Sequence, residues 1–162
     1  MNLHRDTVAK IEIAAKMYDS MNPLQKDVVG QYASAIFDIQ REINKVAEEV
    51  CAGVMCEKCE GGCCTDGVEY GIEIEQFLYA MFKMTEEDRR KVYEVVNSGH
   101  QGAKCSLVGA KGCILPKDAR PIPCKSFHCN FIQGGADIME NQGKKLKKAY
   151  AHYVEMVDAM GV

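Results

Sequence analysis

Hydrophobic residues recur at helical spacing along most of the chain, and the places where they stop doing so hold its chemistry. Val8, Ile11, Ala15 and Tyr18 predict a short amphipathic helix from about Thr7 to Asp19, broken by Ser20 to Pro23. Leu24, Val28, Tyr32, Ile36, Ile39, Ile43, Val46 and Val50 then form one apolar stripe with Glu, Lys, Gln and Asp on the other faces, which predicts the longest helix. Gly53 marks its stop. Ile72, Ile74, Phe77, Leu78 and Met81 predict a helix from about Glu73 to Lys83. Thr85-Glu86-Glu87-Asp88 reads as an N-cap with an acidic first turn, opening a helix with Val92, Val95 and Val96 inward and ending at Ser98-Gly99. A last helix, from about Asp137 to Met160, carries Leu146, Tyr150, Tyr153, Val157 and Met160 on one face.

Two segments break this rhythm. Cys56 to Gly67 has no periodic pattern, and Gly61, Gly62 and Gly67 suit irregular backbone wrapped around something. Between Gly102 and Gly135, Gly109, Gly112, Pro116, Pro121 and Pro123 forbid long helices. Within it, Cys105-Ser-Leu-Val, Gly-Ala-Lys-Gly and Cys113-Ile-Leu predict a small β-hairpin with Cys105 and Cys113 on its two arms. The expected fold class is therefore all-α, a helical bundle with irregular cysteine-rich loops and one small hairpin. A single domain is expected over residues 1–162: N-terminal helices over 1–53, a cysteine-bearing region with two helices over 54–135, and a C-terminal helix over 136–162.

A net charge of −3 gives no global basic field, so neither nucleic acid nor an anionic membrane is expected as a partner. Lys144, Lys145, Lys147 and Lys148 read as a solvated helix face. Neither a signal peptide nor a membrane span is expected, and the expected location is the cytoplasm. Nine cysteines in 162 residues are many for that location. The odd count, the expected lack of an export signal and a chain long enough to need no staples all argue against a disulfide framework and for metal coordination.

Cys56-x2-Cys59 lets two thiolates reach one metal through a tight turn. Cys63 and Cys64 are adjacent, so in extended backbone their side chains diverge, and the run from Cys56 to Cys64 reads as half of a site. The other half is Cys105-x7-Cys113-x10-Cys124-x4-Cys129. Eight thiols fit two tetrahedral four-thiolate sites or one iron-sulfur cluster with further sulfurs in support. Scattered spacings, adjacent cysteines and glycine-rich turns suit an iron-sulfur cluster better, with 4Fe-4S favoured over zinc. The expected function is electron transfer or a redox-related role with a protein or redox partner. The alternative is a structural zinc-binding interaction module without catalysis. A third reading, a thiol-disulfide oxidoreductase, rests on Cys56-Glu-Lys-Cys59, although that motif normally opens a helix after a strand in an α/β fold.

The combination C-x2-C-x3-C-C, C-x7-C and R-P-x-x-C, carried by Cys56, Cys59, Cys63, Cys64, Cys105, Cys113, Arg120, Pro121 and Cys124 and followed by Cys129, resembles the YkgJ-type cysteine-cluster family. That family is described as a zinc- or iron-chelating domain with eight cysteines. The resemblance spans Cys56 to Cys129 and departs from the family in lacking an aromatic residue between Leu115 and Ala119. It implies metal chelation by those eight cysteines. Flagellin lysine N-methylases look similar in this region and some members are labelled iron-sulfur oxidoreductases, so any enzyme activity would be a redox or methyl-transfer type dependent on the metal centre.

Arg120 is expected beside the thiolates, balancing their charge or fixing the loop by binding backbone carbonyls. Cys51 reads as a buried thiol, His128 as a hydrogen-bonded loop residue with metal approach as its alternative, and Asp66 as a turn residue. His4, His100 and His152 lack ligand spacing.

Overall fold

The computed structural model describes residues 3–50, 72–97, 105–109, 112–126 and 136–162. Cys51, Cys56, Cys59, Cys63, Cys64, Asp66, His100, His128 and Cys129 lie outside them. Among the described residues the fold is all-α, with a two-residue antiparallel ladder as its β-structure.

Helix α1 (Leu3–Ser20) buries Thr7, Ile11, Ala14 and Ala15, spaced to share one face. Helix α2 (Pro23–Val50) starts at a reciprocal cap. Asn22 Oδ1 accepts from the Gln25 amide and Gln25 Oε1 accepts from the Asn22 amide, both at 2.9 Å, with Pro23 at the first helical position, where its missing N–H costs nothing. The buried face of α2 is Val29, Ala33, Ile36, Phe37, Gln40 and Ile43. This corrects the expected stripe at one end, because Leu24 is 66% exposed. Steps of four residues rotate by about 40° each, so a row traced back from Ile36 through Tyr32 and Val28 has turned by about 120° at Leu24.

Helix α3 (Ile74–Met81) is buried on every side from Gln76 to Met81 and packs against α1. Lys10 Nζ donates to the Ile72 carbonyl at 3.0 Å, tying α1 to the entry of α3. Helix α4 (Glu86–Asn97) buries Val92 and Val96. Its N-cap is as expected: Thr85 Oγ1 accepts from the Asp88 amide at 3.1 Å, and Asp88 Oδ2 accepts from the Thr85 amide at 3.0 Å.

Strands β1 (Val108–Gly109) and β2 (Gly112–Cys113) pair with Val108 opposite Cys113. Cys113 thus lies on an arm of the hairpin, whereas Cys105 precedes the other arm in a turn closed by the Val108 amide donating to the Cys105 carbonyl at 3.0 Å. The expected placement of Cys105 on a strand is corrected to that extent. A 3-10 turn (Lys117–Ala119), flanked by Pro116 and Pro121, and helix α5 (Ile122–Ser126) follow.

Helix α6 (Ala136–Ala159) buries Leu146, Tyr153 and Val157 against α2. Gln25 at the start of α2 donates to the Met160 carbonyl at 3.0 Å, just beyond the end of α6. The middle of α2, Asp38 to Glu42, shares a surface groove with Gln142 and Lys145, so the two helices run antiparallel. No described helix is long and apolar enough to cross a membrane.

Candidate metal centre

Cys105, Cys113 and Cys124 lie within one folded stretch, and no disulfide joins them to each other. Cys105 is 5% exposed, and its Sγ accepts from the Leu107 amide at 3.5 Å. A backbone N–H aimed at sulfur two residues earlier complements a thiolate, the form in which cysteine ligates metal. Cys113 is half-buried across the ladder from Val108. Cys124 is half-buried in the first turn of α5, close enough to Tyr79 to act on its phenol electrostatically.

The connection between Cys113 and Cys124 is tied to the helices. Asp118 in the 3-10 turn meets Lys83 Nζ at 3.2 Å and Arg41 at 4.0 Å. The Arg120 carbonyl accepts from Gln40 Nε2 of α2 and from the Tyr79 hydroxyl of α3, both at 2.7 Å. The Ile122 amide donates to Gln76 Oε1 at 2.9 Å. The Arg120 side chain reaches back to the Leu115 carbonyl through Nε at 3.5 Å.

Beneath Cys124 lies an aromatic cluster. Tyr79 meets Phe37, Tyr150 and Tyr153 edge-to-face, with ring centroids 6.2, 6.3 and 5.9 Å away. The Tyr150 hydroxyl donates to Glu73 Oε2 at 3.0 Å. Burial is the main force raising the Tyr79, Tyr150 and Tyr153 phenols above their ordinary value, because the interior opposes the phenolate. Tyr153 Oη and Gln40 Oε1 are buried and make no hydrogen bond among the described residues.

No group of three or more His, Cys, Asp or Glu residues converges among the described residues, so Cys105, Cys113 and Cys124 are not a three-ligand site by themselves. A site built on them would draw ligands from outside the described residues. Their chemistry fits one: three thiols, of which Cys105 is buried with an amide donor on its sulfur and Cys124 follows backbone held from two helices. His152 is exposed on α6. Gln40, Gln76 and Tyr79 are contributors that spacing arguments on cysteines do not reach. The available signal was polar residues inside apolar runs: Gln40 four residues after Ile36, and Gln76 between Ile74 and Phe77. No family model, no curated protein and no solved structure matches the chain.

Proposed function

We propose that the chain is a metal-binding protein that holds an iron-sulfur cluster, 4Fe-4S in preference to other forms, through thiolates drawn from Cys56, Cys59, Cys63, Cys64, Cys105, Cys113, Cys124 and Cys129. The observation that carries this reading is the buried Cys105 sulfur accepting the Leu107 amide, an arrangement that stabilises negative charge on sulfur. The resemblance of the spacing to the YkgJ-type cysteine-cluster family supports it further. When bound, such a cluster supplies one-electron redox chemistry. The chain's own residues would position thiolates, donate amides to sulfur and exclude water through the packed tyrosines. Electron transfer or a redox-related role to a protein partner follows from that reading.

A second reading, structural zinc in a non-catalytic interaction module, is favoured by one feature, the Cys56-x2-Cys59 pair. Protein purified without oxygen separates the two. The cluster reading expects a brown sample whose broad visible absorption bleaches with dithionite. A colourless sample indifferent to dithionite that loses thermal stability with a strong chelator contradicts it and supports zinc.

A further inference from the structure

Cys124 follows a stretch with few backbone donors of its own. Pro121 and Pro123 have no N–H, which leaves Ile122 and Cys124 as the donors after Arg120. Both are satisfied, Ile122 by Gln76 Oε1 at 2.9 Å and Cys124 by the Pro121 carbonyl at 3.0 Å. The Arg120 carbonyl takes two donors, Gln40 Nε2 and the Tyr79 hydroxyl. Gln40 and Gln76 are 0% and 5% exposed among apolar neighbours, where a polar amide is costly unless paired. Two helices therefore each bury an uncharged polar side chain, and α3 adds a phenol, to hold the peptides just before one cysteine. Packing alone gives no reason for that choice: an apolar residue at Gln40 would avoid burying an Oε1 that has no hydrogen-bond partner among the described residues.

Building on the metal-binding reading, we infer that Gln40, Gln76 and Tyr79 are positioning residues for Cys124, holding the backbone that presents its thiol to the metal. The place of this ligand is set by α2 and α3. Cys113, by contrast, sits on a hairpin closed by its own backbone bonds, and Cys105 in the turn that leads into it. The link is reciprocal: metal that holds Cys124 also stabilises the three contacts.

The test uses the full chain, purified and handled without oxygen, in wild-type, Q40A/Y79F, Q76L and Y153F forms. Residue-resolved alkylation by iodoacetamide is followed by mass spectrometry. Loss of two hydrogen bonds is expected to speed Cys124 alkylation by about tenfold while Cys105 stays within about twofold. Y153F, which removes a hydroxyl with no hydrogen-bond partner among the described residues, leaves both rates unchanged. Tyr79→Phe alone keeps the buried ring, so it gives the same contrast at smaller size if the double variant folds poorly. Co²⁺ added alone to chain first stripped of bound iron or zinc with a chelator reads the site directly: its thiolate charge-transfer absorption per bound ion falls by roughly a quarter in the Q40A/Y79F form, the share of one thiolate in four. Equal acceleration at Cys105 and Cys124, or none at either, would overturn the inference. A wild-type chain that takes up no cobalt while the alkylation contrast holds would overturn the metal reading and leave the positioning role supported.

Discussion

The α2–α6 pair and the stretch from Cys105 to Ser126 are ordered by different means. In the helix pair, Val29, Ala33, Ile36, Leu146, Tyr153 and Val157 bury apolar surface against one another, and polar contacts serve mainly at the ends, as at Asn22 and Gln25. The stretch also buries Leu107, Val108, Leu115 and Ala119, but directional contacts reach into it from outside: Gln40 and Tyr79 hold the Arg120 carbonyl, Gln76 the Ile122 amide, and Lys83 and Arg41 the Asp118 carboxylate. Area burial is non-directional and can anchor a scaffold, whereas hydrogen bonds fix the direction of individual peptides. A loop that is to present a side chain in one direction needs the second kind of order, and it depends on the first kind being in place.

Breaking the scaffold has the largest expected effect. Ile36→Ala removes a fully buried side chain at the α2 face and should cost about 3 kcal/mol in chemical denaturation. Amide-exchange protection at Ile122 and Cys124 should fall with that of the helices. Retained protection in the stretch would show that it is ordered independently of α2.

Alkaline pH attacks the same core through its phenols. Burial holds the Tyr79, Tyr150 and Tyr153 phenols above their ordinary value near 10, so between that value and the folded one the unfolded chain has lost protons that the folded chain keeps. Their contribution to stability is full below about pH 10 and declines above it. Denaturation midpoints measured from neutral to strongly alkaline pH should fall in step with phenolate absorption. Early ionisation of all seven tyrosines in a still-folded chain would contradict the burial of these three.

A smaller effect sharpens the contrast at a helix end. Thr85→Ala removes the cap of α4 and should cost about 1 kcal/mol without changing alkylation of Cys124. The Thr85 hydrogen bonds also hold the Asp88 carboxyl below its usual range, so this contribution is present above the ordinary carboxylate pKa and is lost as pH falls through the lowered value. The wild-type advantage over Thr85→Ala should accordingly shrink in acid. Asp118→Asn is expected to do least, about 0.5 kcal/mol, because Lys83 and Arg41 meet Asp118 near solvent. High salt should erase that difference and leave the neutral Gln40 and Gln76 contacts untouched.

Much of the scaffold was legible in the sequence because its order is periodic. The stripe through Ile36, Ile39 and Ile43 predicts α2, and Thr85 with Asp88 predicts the start of α4; both signals act within a few residues of themselves. Leu24 was misplaced because a one-dimensional stripe does not show how far a row of four-residue steps drifts around the helix. Cys113 on a hairpin arm was legible from Gly109 and Gly112, which end one strand and begin the next, while Cys105 fell just outside the ladder. The contacts at Arg120 and Ile122 were illegible for a plainer reason: Gln40 lies 80 residues from Arg120 and Gln76 lies 46 from Ile122. Only packing of α2 and α3 against the stretch brings them together, and no local pattern encodes that meeting.

The central claim is that the cysteine run from Cys56 to Cys64 and the stretch from Cys105 to Cys129 complete one another around metal. Iron, zinc and acid-labile sulfide per chain, measured on anaerobically purified wild-type, C59S and C105S proteins, test it most directly. The account predicts iron with matching sulfide in the wild type and loss of both in each variant, since either half alone is insufficient. A wild type without bound metal, or a C59S protein that keeps the full wild-type content, would contradict it.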